Sequence, residues 1–247
     1  MRVQEIKLTG QWNDFLLRAC DPYAMAKYEI LLDWVGDIKG TTAVVIGSGS
    51  GEFAALLSRA GAYVTAIDID EASVQLTLET ARKFGVTVKG VVATLQSFAK
   101  TEQFELVVAT DVIEHIEDDR SAARDLAGLV CRGGKILITV PALPFLFGYH
   151  DTALGHYRRY TKKTLLDLFD SYLSIQSARY YGFSLIPAAL VLSRWMRRPY
   201  PAGKVGSMKE NNPLVGSLVS MLFSIEKKIS PPLGTSLLLM GTRTEAE

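Results

Sequence analysis

The segment that most constrains the fold is a short glycine-rich turn between an apolar strand and a helix. Residues 42–46 are β-branched or apolar and predict a buried strand, which ends at Gly47. Gly49 and Gly51 follow at alternate positions, and helical apolar spacing begins at Phe53. Glycines in such a turn let the backbone lie against a ligand, and the first N–H groups of the helix carry a partial positive charge. The turn therefore predicts a site for a nucleoside-containing ligand.

Strand and helix patterns alternate after this turn. Strands are predicted at residues 63–67, 86–92, 106–109, 135–140, 173–181 and 235–242. Helices are expected between them, including one at residues 119–130 that ends before Gly133 and Gly134. This alternation predicts right-handed βαβ units and a parallel sheet with helices on both faces.

Composition excludes several classes of protein. Of the 247 residues, 48% are apolar, which excludes a disordered chain. The two cysteines, Cys20 and Cys131, cannot form a disulfide framework and fit a reducing compartment. The N-terminus lacks the apolar core of a secretory signal, and the longest apolar stretch, residues 183–193, is about half the length of a membrane span. We therefore expect a cytoplasmic location.

The chain reads as a single domain over residues 1–247. The expected parts are an N-terminal helical cap (1–38), a cofactor-binding core with a lid loop (39–182), an apolar helical insertion (183–234), and a closing strand with a tail (235–247). The strand and helix patterns of the core suffice for one sheet, and the flanks are expected to cover it.

A carboxylate follows the second predicted strand. Asp68 stands 17 residues after Gly51, where it can accept hydrogen bonds from both ribose hydroxyls. The alternative is that Asp68 only opens the turn before Asp70, which caps the next helix. A dinucleotide site has the spacing G-x-G-x-x-G, but Glu52 occupies the place of the last glycine. Glu52 would repel a pyrophosphate and suits a cationic sulfonium, which favours S-adenosylmethionine over NAD(P).

Longer motifs carry a resemblance to a known family. The chain resembles the class I S-adenosylmethionine-dependent methyltransferases in VVIGSGSGEFAALLSRAGAYVTAIDID and FELVVATDVIEHIEDDRSAARDLAGLVCRGGKILITVPAL. The nearest branch is the ubiquinone-biosynthesis-like and small-molecule group, and the resemblance covers residues 40–142. The segment HDTALGHYRRYTKKTLLDLF is also similar to bacterial methyltransferases often found with glycan- and lipid-modifying enzymes. The resemblance implies an α/β, Rossmann-like, doubly wound sheet of seven strands, mostly parallel, with an antiparallel last strand and a helical apolar cap.

The same resemblance implies a set of cofactor-binding residues. In the family, the glycine turn lies under the methionine and ribose, and the carboxylate after the second strand binds the ribose. Carried over by position, the cofactor-binding residues are Gly47, Ser48, Gly49, Gly51, Asp68, Ile69, Thr94, Leu95, Asp111 and Val112. The acidic residue with which the family reads the adenine amino group is missing, so Thr94 or a backbone carbonyl is expected to replace it.

The DVIEH segment after the fourth strand contains candidates for catalysis. Asp111, Glu114 and His115 are expected on one helical face at the carboxyl edge of the sheet. In one interpretation Asp111 contacts the cofactor and His115 is a general base. In a second, the three residues bind a divalent metal, as in some ubiquinone-pathway relatives. In a third, Glu114 and His115 only hold the loop together. No metal ligand is assigned from the sequence.

A polar, aromatic segment after the fifth strand predicts an acceptor-binding lid. The candidate acceptor-binding residues are Tyr149, Arg158, Arg159 and Tyr160. Either arginine would contact a phosphate or carboxylate; the alternative is that both pair with nearby acids. The candidate catalytic bases are the three histidines of the chain, His115, His150 and His156, which all fall in or beside predicted loops on one side of the sheet.

The C-terminal part of the chain is basic and apolar. Residues 1–150 carry a net charge of −5, and residues 151–247 carry +6. An apolar helical stripe between Leu214 and Ile229 has core packing as its plain interpretation. The sharper hypothesis is a hydrophobic acceptor pocket or an interfacial patch at the inner face of the membrane. We therefore expect a small-molecule acceptor, hydrophobic or anionic, with peripheral membrane contact as the sharper alternative.

These patterns together predict an S-adenosylmethionine-dependent methyltransferase whose product is S-adenosylhomocysteine. The alternatives are an NAD(P)-binding oxidoreductase and a non-catalytic S-adenosylmethionine-binding protein. The Asn/Asp-Pro-Pro-aromatic motif of enzymes that methylate nucleic-acid amino groups is absent, and no basic stripe appears, so nucleic acid is not expected as a partner.

Overall fold

A computed structural model describes residues 22–99, 102–197 and 213–244. The strands are β1 (Thr42–Ile46), β2 (Tyr63–Asp68), β3 (Val88–Val92), β4 (Phe104–Thr110), β5 (Val130–Pro141), β6 (Leu173–Tyr181) and β7 (Ser236–Arg243). The helices are α1 (Pro22–Val35), α2 (Glu52–Arg59), α3 (Glu71–Lys83), α4 (Leu95–Phe98), α5 (Asp119–Leu129), α6 (Tyr149–Leu154), α7 (Lys162–Phe169), α8 (Ile186–Ala188) and α9 (Pro213–Lys228). A π-helix, Ala189–Trp195, continues from α8.

The seven strands form one sheet in the order β3-β2-β1-β4-β5-β7-β6. The first five strands in this order pair in parallel, and β7 pairs antiparallel with both β5 and β6. The fold class expected from the sequence is thereby confirmed. The central strands are apolar throughout because helices cover both faces, so that every residue of β1 after Thr42 is buried.

The start of β5 differs from the sequence-based prediction. Helix α5 ends at Leu129 instead of continuing towards the glycine pair, and Val130 already belongs to the strand. Gly133 has a φ of +73°, and the pairing with β4 shifts register at this point. This irregularity in the strand accounts for Gly133, since the left-handed region favours glycine. The helical periodicity before the glycines cannot reveal such an irregularity.

Two helices from opposite ends of the chain pack together against the sheet. The Tyr23 ring of α1 stacks on Tyr181 of β6 at 4.9 Å between centroids, and lies 5.4 Å from Phe223 of α9. All three rings are buried. The helical part of the predicted N-terminal cap is therefore present from Pro22, whereas Cys20 and most of the linker between residues 197 and 213 lie outside the described residues.

Among the described residues, none of the helices combines the length and apolar character that crossing a bilayer requires. Cys131 has a free thiol and is only partly buried.

Candidate active site

The glycine turn lies between β1 and α2, and Gly51 and Gly49 have different structural reasons. All three adopt left-handed backbone conformations, with φ of +63° at Gly47, +54° at Gly49 and +83° at Gly51. A Cβ on Gly51 would lie 2.6 Å from the Cα of Thr77, so this glycine is required by helix packing. A Cβ on Gly49 would meet no protein atom within 4 Å. Gly49 therefore leaves its surroundings open, as a residue beside a ligand must.

Asp68 links this turn to the end of β2. Its Oδ2 accepts a hydrogen bond from the Gly49 N–H at 3.0 Å, and its Oδ1 accepts one from the Asp70 N–H at 3.0 Å. The side chain is only partly buried. Each carboxylate oxygen has a second lone pair, so Asp68 can hold the turn and still accept hydrogen bonds from a ligand.

A cavity of about 720 Å³ opens along the carboxyl ends of the central strands. Residues predicted to bind the cofactor form much of its wall: Gly47, Asp68, Ile69, Thr94, Leu95, Asp111 and Val112. Ser48, Gly49 and Gly51 were predicted with them but are not among the lining residues. The cavity thus lies at the sheet edge where open parallel sheets bind ligands.

Two polar residues of the turn, Ser48 and Glu52, make hydrogen bonds within the protein. Glu52 is 5% exposed, and both of its carboxylate oxygens accept a hydrogen bond from the Ser50 hydroxyl at 2.7 Å. Ser48 is also buried; its Oγ accepts a hydrogen bond from Thr77 at 2.9 Å. Their side chains therefore stabilise the turn and the packing of α3.

Thr94 begins α4 and uses its hydroxyl locally. The Thr94 Oγ1 accepts the Ser97 N–H at 3.1 Å, which is an N-cap hydrogen bond. The predicted role of Thr94 in reading adenine therefore competes with a capping role. Gln96, whose side-chain amide can both donate and accept, also lines the cavity and was not assigned a role from the sequence.

Asp111 is held in an unusual conformation at the end of β4. Its φ is +56°, in the left-handed region that few residues other than glycine adopt. Lys27 of α1 donates a hydrogen bond to its Oδ2 at 2.5 Å, and Thr139 of β5 donates to its Oδ1 at 3.1 Å. Lys27 is nearly buried and is 84 residues away in sequence, so no local pattern could have revealed it.

The expectation that Asp111, Glu114 and His115 share one helical face is wrong. The only helical turn in this loop is a short 3₁₀ segment, Ile113–His115, and Asp111 lies before it in the left-handed region. Glu114 is fully buried, and both of its carboxylate oxygens lack a hydrogen-bond partner among the described residues. Burial, and then the neighbouring charge of Asp111, raise the pKa of Glu114 well above its usual range.

Two of the three candidate histidines meet at the cavity. His115 lines the cavity, and its ring packs edge to face on His156 at 4.6 Å between centroids. Burial, followed by the proximity of His156, lowers the pKa of His115. His156 Nδ1 lies 2.9 Å from Asp151 Oδ1. The structure therefore assembles a histidine pair from two segments that are about forty residues apart in the chain.

His150 belongs to a different environment. Its backbone N–H donates to Ser193 Oγ at 3.0 Å, and its ring is partly buried, which lowers its pKa to about 4. The neighbouring Tyr149 is half exposed and lines a second cavity of about 640 Å³ with Trp195 and Arg197. Helix α6 thus contributes Tyr149 and Thr152 to this second cavity.

The structure corrects the acceptor-binding role predicted for Arg159 and Tyr160. Arg159 has no exposed side-chain surface: its Nε donates to Asp151 at 2.7 Å and its Nη1 to the Ala142 carbonyl at 3.1 Å. The Tyr160 hydroxyl donates to Asp119 at 3.1 Å, and the residue is 3% exposed. Their burial contradicts the predicted acceptor contacts and agrees with the alternative of internal pairing.

Arg158 is paired as well but keeps some exposed surface. Its Nη1 lies 2.9 Å from Asp119, and its Nη2 donates to the Glu117 carbonyl at 2.5 Å. Its side chain remains 30% exposed. A contact between Arg158 and an acceptor therefore stays a prediction.

Comparison with known proteins identifies the family. Residues 44–138, which contain the glycine turn, Asp68 and the DVIEH segment, match a family model described as a methyltransferase domain. Residues 44–138 therefore form a methyltransferase domain, in agreement with the resemblance to the class I S-adenosylmethionine-dependent methyltransferases. It is 37% identical over 98 residues to a ubiquinone biosynthesis O-methyltransferase of Methylobacterium sp. (strain 4-46), covering 39% of each chain. With the enzyme of the same name from Bordetella avium (strain 197N), identity is 28% over 114 residues, or 44% of this chain and 47% of that one.

A solved structure shows the same fold over most of the chain. The N-methyltransferase NodS from Bradyrhizobium japonicum WM9, in complex with S-adenosylhomocysteine, superposes with a TM-score of 0.59 at 13% identity. The match covers 91% of this chain and 89% of NodS. In sequence, by contrast, the chain spans less than half the length of these two curated relatives.

Proposed function

We propose that this methyltransferase-family chain transfers a methyl group from S-adenosylmethionine to a hydroxyl of a small, hydrophobic acceptor. The observation that carries the proposal is the 720 Å³ cavity that runs from Asp68 to His115. At one end the Asp68 carboxylate can accept hydrogen bonds from ribose hydroxyls, and at the other the His115 imidazole can accept a proton.

The geometry of the cavity fits an adenosyl sulfonium. Ile69 is 73% exposed and lines the cavity, where an apolar side chain can pack on an adenine face. The Asp111 side chain is 42% exposed and lines the cavity, so the far end offers a carboxylate to the methionine end of the cofactor. This negative charge matches the ammonium of an amino acid.

A base near the sulfonium is needed only for some acceptors. Methyl transfer is an in-line displacement in which the cofactor leaves as a neutral thioether, and a hydroxyl acceptor must also lose its proton. His115 lines the cavity, and its lowered pKa keeps the imidazole neutral and able to accept that proton at neutral pH. Two curated relatives named as O-methyltransferases support the choice of oxygen as the methylated atom.

A hydrophobic acceptor, supplied from a membrane surface, is supported by the outward face of α9. Met221, Leu222 and Ile225 lie along one side of this helix, and Ile229 follows its last residue; all four are 37 to 56% exposed. Phe223 on the other side is buried. An apolar stripe that faces outwards near lysines is typical of helices that lie on anionic membranes.

Calorimetry and a methyl-transfer assay test the core of the proposal. S-adenosylhomocysteine should bind the purified chain with one site, and NADH should not bind. Radiolabelled S-adenosylmethionine, incubated with a cell extract, should then yield a labelled organic-soluble product only when His115 is intact. Binding of NADH instead of S-adenosylhomocysteine would overturn the cofactor assignment, and a labelled product unaffected by His115→Gln would overturn the assigned base.

Vesicle sedimentation tests the membrane contact separately. The chain should co-sediment with vesicles of phosphatidylcholine and phosphatidylglycerol, and less with phosphatidylcholine alone. Met221→Gln with Ile225→Gln should reduce this binding. Tyr63→Gln is the control, since Tyr63 is 71% exposed but lies at the start of β2. Equal losses in both variants, or no sedimentation with anionic vesicles, would contradict the membrane contact.

A further inference from the structure

The imidazole that lines the cofactor cavity packs against a second histidine, which comes from the lid segment. The rings of His115 and His156 meet edge to face at 4.6 Å between centroids. His115 is exposed and lines the cavity, whereas the side chain of His156 is only 8% exposed and is not among the lining residues. His156 therefore contacts the candidate base but has little surface of its own to offer an acceptor.

A buried carboxylate holds the ring of His156. Asp151 has no exposed side-chain surface, and its Oδ1 lies 2.9 Å from His156 Nδ1. Arg159 Nε donates to the same oxygen at 2.7 Å, and the Gly148 N–H donates to Oδ2 at 3.0 Å. The carboxylate is thus fixed from three directions, and it fixes the imidazole in turn.

The charge on this carboxylate determines which nitrogen of His156 carries a proton. Burial alone would raise the pKa of Asp151, but the hydrogen bond with His156 and the charge of Arg159 outweigh it and lower that pKa. An ionised carboxylate can only accept hydrogen bonds. His156 must therefore carry a proton on Nδ1 and donate it to Asp151.

The backbone of the lid segment holds this pair against the DVIEH loop. Gly155 ends α6 with a φ of +75°, and the chain turns back so that the His156 N–H donates to the Asp151 carbonyl at 2.9 Å. The next N–H, that of Tyr157, donates to the Glu114 carbonyl at 2.8 Å. His156 is therefore tied to Asp151 on one side and to the residue before His115 on the other.

An exposed imidazole needs such a neighbour to act as a base. A histidine ring rotates about two side-chain bonds, and the second of these torsions is broadly distributed. Proton transfer requires that one ring nitrogen stay within hydrogen-bond reach of the acceptor hydroxyl. A ring that is itself fixed, and that packs on His115, restricts this rotation.

We propose that Asp151 and His156 are positioning residues for His115: Asp151 fixes the His156 ring, and that ring fixes the orientation of the His115 imidazole beside the cavity. The inference rests on the proposed function, in which His115 is the base, and it gives the two histidines different roles. As the acceptor oxygen takes the methyl group, its proton passes to His115, which becomes an imidazolium. His156 keeps its proton on Nδ1 throughout.

A kinetic double-mutant cycle tests whether His156 acts through His115. Initial rates are measured with radiolabelled S-adenosylmethionine at saturation and a fixed amount of one cell extract. His115→Gln should lose the factor of about 10²–10⁴ that a positioned base contributes. His156→Gln should lose a smaller factor, of at most about 100-fold, which is the cost of misplacing a catalytic group by about 1 Å. The double variant should be no slower than His115→Gln alone, because a positioning residue has no effect once the base is gone.

Three outcomes of this cycle would overturn the proposal. A rate for His156→Gln at or below that of His115→Gln would make His156 the base itself. Losses that multiply in the double variant would mean that the two histidines act independently. A parental rate for His156→Gln would leave it without a role. Leu154→Gln is the control and should keep the parental rate, since Leu154 is 49% exposed at the end of α6.

Nuclear magnetic resonance tests the contact with Asp151 without any acceptor. The chain has three histidines, so ¹⁵N-labelled imidazoles give three ring patterns, and single His→Gln variants at 115, 150 and 156 assign them. We expect His156 to carry a proton on Nδ1 at neutral pH and this proton to exchange slowly with water, because its partner is buried. A His156 ring whose only proton is on Nε2 would overturn the proposal.

Calorimetry separates failure of this inference from failure of the proposed function. S-adenosylhomocysteine should bind His156→Gln with the parental Kd, and circular dichroism establishes that the variant is folded. If S-adenosylhomocysteine binds the parent and His115→Gln loses product while His156→Gln does not, only the positioning role fails. If the parent does not bind S-adenosylhomocysteine, or His115→Gln keeps the parental rate, the proposed function fails and this inference fails with it.

Discussion

Asp68 is the residue whose replacement most directly tests the cofactor site. We expect Asp68→Ala to weaken binding of S-adenosylhomocysteine by about 1–3 kcal/mol, since it removes the charged acceptor that we propose binds the ribose hydroxyls. The measurement is calorimetry, in which this loss appears as an increase in Kd of roughly 5- to 150-fold. Asp68→Asn keeps one acceptor oxygen for the Gly49 N–H. Its Kd for S-adenosylhomocysteine should therefore lie between those of the parent and of Asp68→Ala.

Asp70 provides the control for Asp68 because it lies two residues further on, begins α3, and does not line the cavity. Asp70→Ala should leave the Kd for S-adenosylhomocysteine unchanged, although it can lower stability. An equal loss of affinity in both variants would mean that the effect arises from the turn and not from contact with the cofactor.

The lowered pKa of His150 predicts that the free energy of unfolding decreases as the pH falls. Burial lowers its pKa from 6.5 to about 4, so the unfolded chain binds a proton at a higher pH than the folded chain does. The stability contributed by neutral His150 is therefore lost as the pH falls from about 6.5 towards about 4. Because the ring is only partly buried, we expect a loss of about 1–2 kcal/mol between pH 7 and pH 5.

The comparison that isolates this effect is His150→Gln. Chemical denaturation at pH 7, 6 and 5 should show a smaller loss of unfolding free energy for the variant than for the parent. Parallel pH profiles would assign the acid sensitivity to other groups.

At the level of elements, periodicity predicts the strands well but does not predict which face of α9 is buried. The sixth strand is expected at residues 173–181 and is found there. The stripe of α9 has core packing as its plain interpretation, yet Met221 and Ile225 face outwards. Periodicity shows that a helix has two faces but not which one meets the protein, and in α9 that is decided by contacts of Phe223 and Glu226 with distant residues.

Glu226 anchors α9 to the end of β6, and its loss should release this helix. Its carboxylate accepts the N–H groups of Gly182, Phe183 and Ser184 at 2.8 to 2.9 Å. Glu226→Gln replaces one acceptor oxygen by a donor that faces these N–H groups. We expect a destabilisation of about 2–3 kcal/mol, the scale for hydrogen bonds to a charged group, measured by denaturant unfolding.

Lys228 provides the comparison within the same helix. It is exposed at the end of α9, and Lys228→Gln should change the unfolding free energy by less than about 0.5 kcal/mol. Similar small effects of both variants would show that the three backbone hydrogen bonds of Glu226 contribute little.

At the scale of the whole molecule, the sequence predicts which residues meet near the glycine turn but not which residues meet around the DVIEH loop. Gly47 and Asp68 follow consecutive strands, so a local pattern together with the parallel topology brings them to one sheet edge. His156 and Asp151 reach the DVIEH loop only because the chain returns after β5, and Lys27 arrives from the N-terminal helix. Contacts over such separations depend on the packing of the complete fold.

The contact between Lys27 of α1 and Asp111 predicts that replacing Asp111 destabilises the protein more than replacing Lys27 does. The Lys27 side chain is 7% exposed, whereas that of Asp111 is 42% exposed. Asp111→Asn therefore leaves a buried ammonium without its carboxylate and should cost about 2–4 kcal/mol of unfolding free energy. Lys27→Met leaves a carboxylate that water can reach and that Thr139 still contacts, so about 1 kcal/mol is expected. The double variant should be more stable than Asp111→Asn alone, because no buried charge remains.

Denaturant unfolding of the parent, the two single variants and the double variant measures these differences in unfolding free energy. Equal losses in the two single variants would mean that Lys27 is compensated by other groups and that Asp111 does not secure the helix.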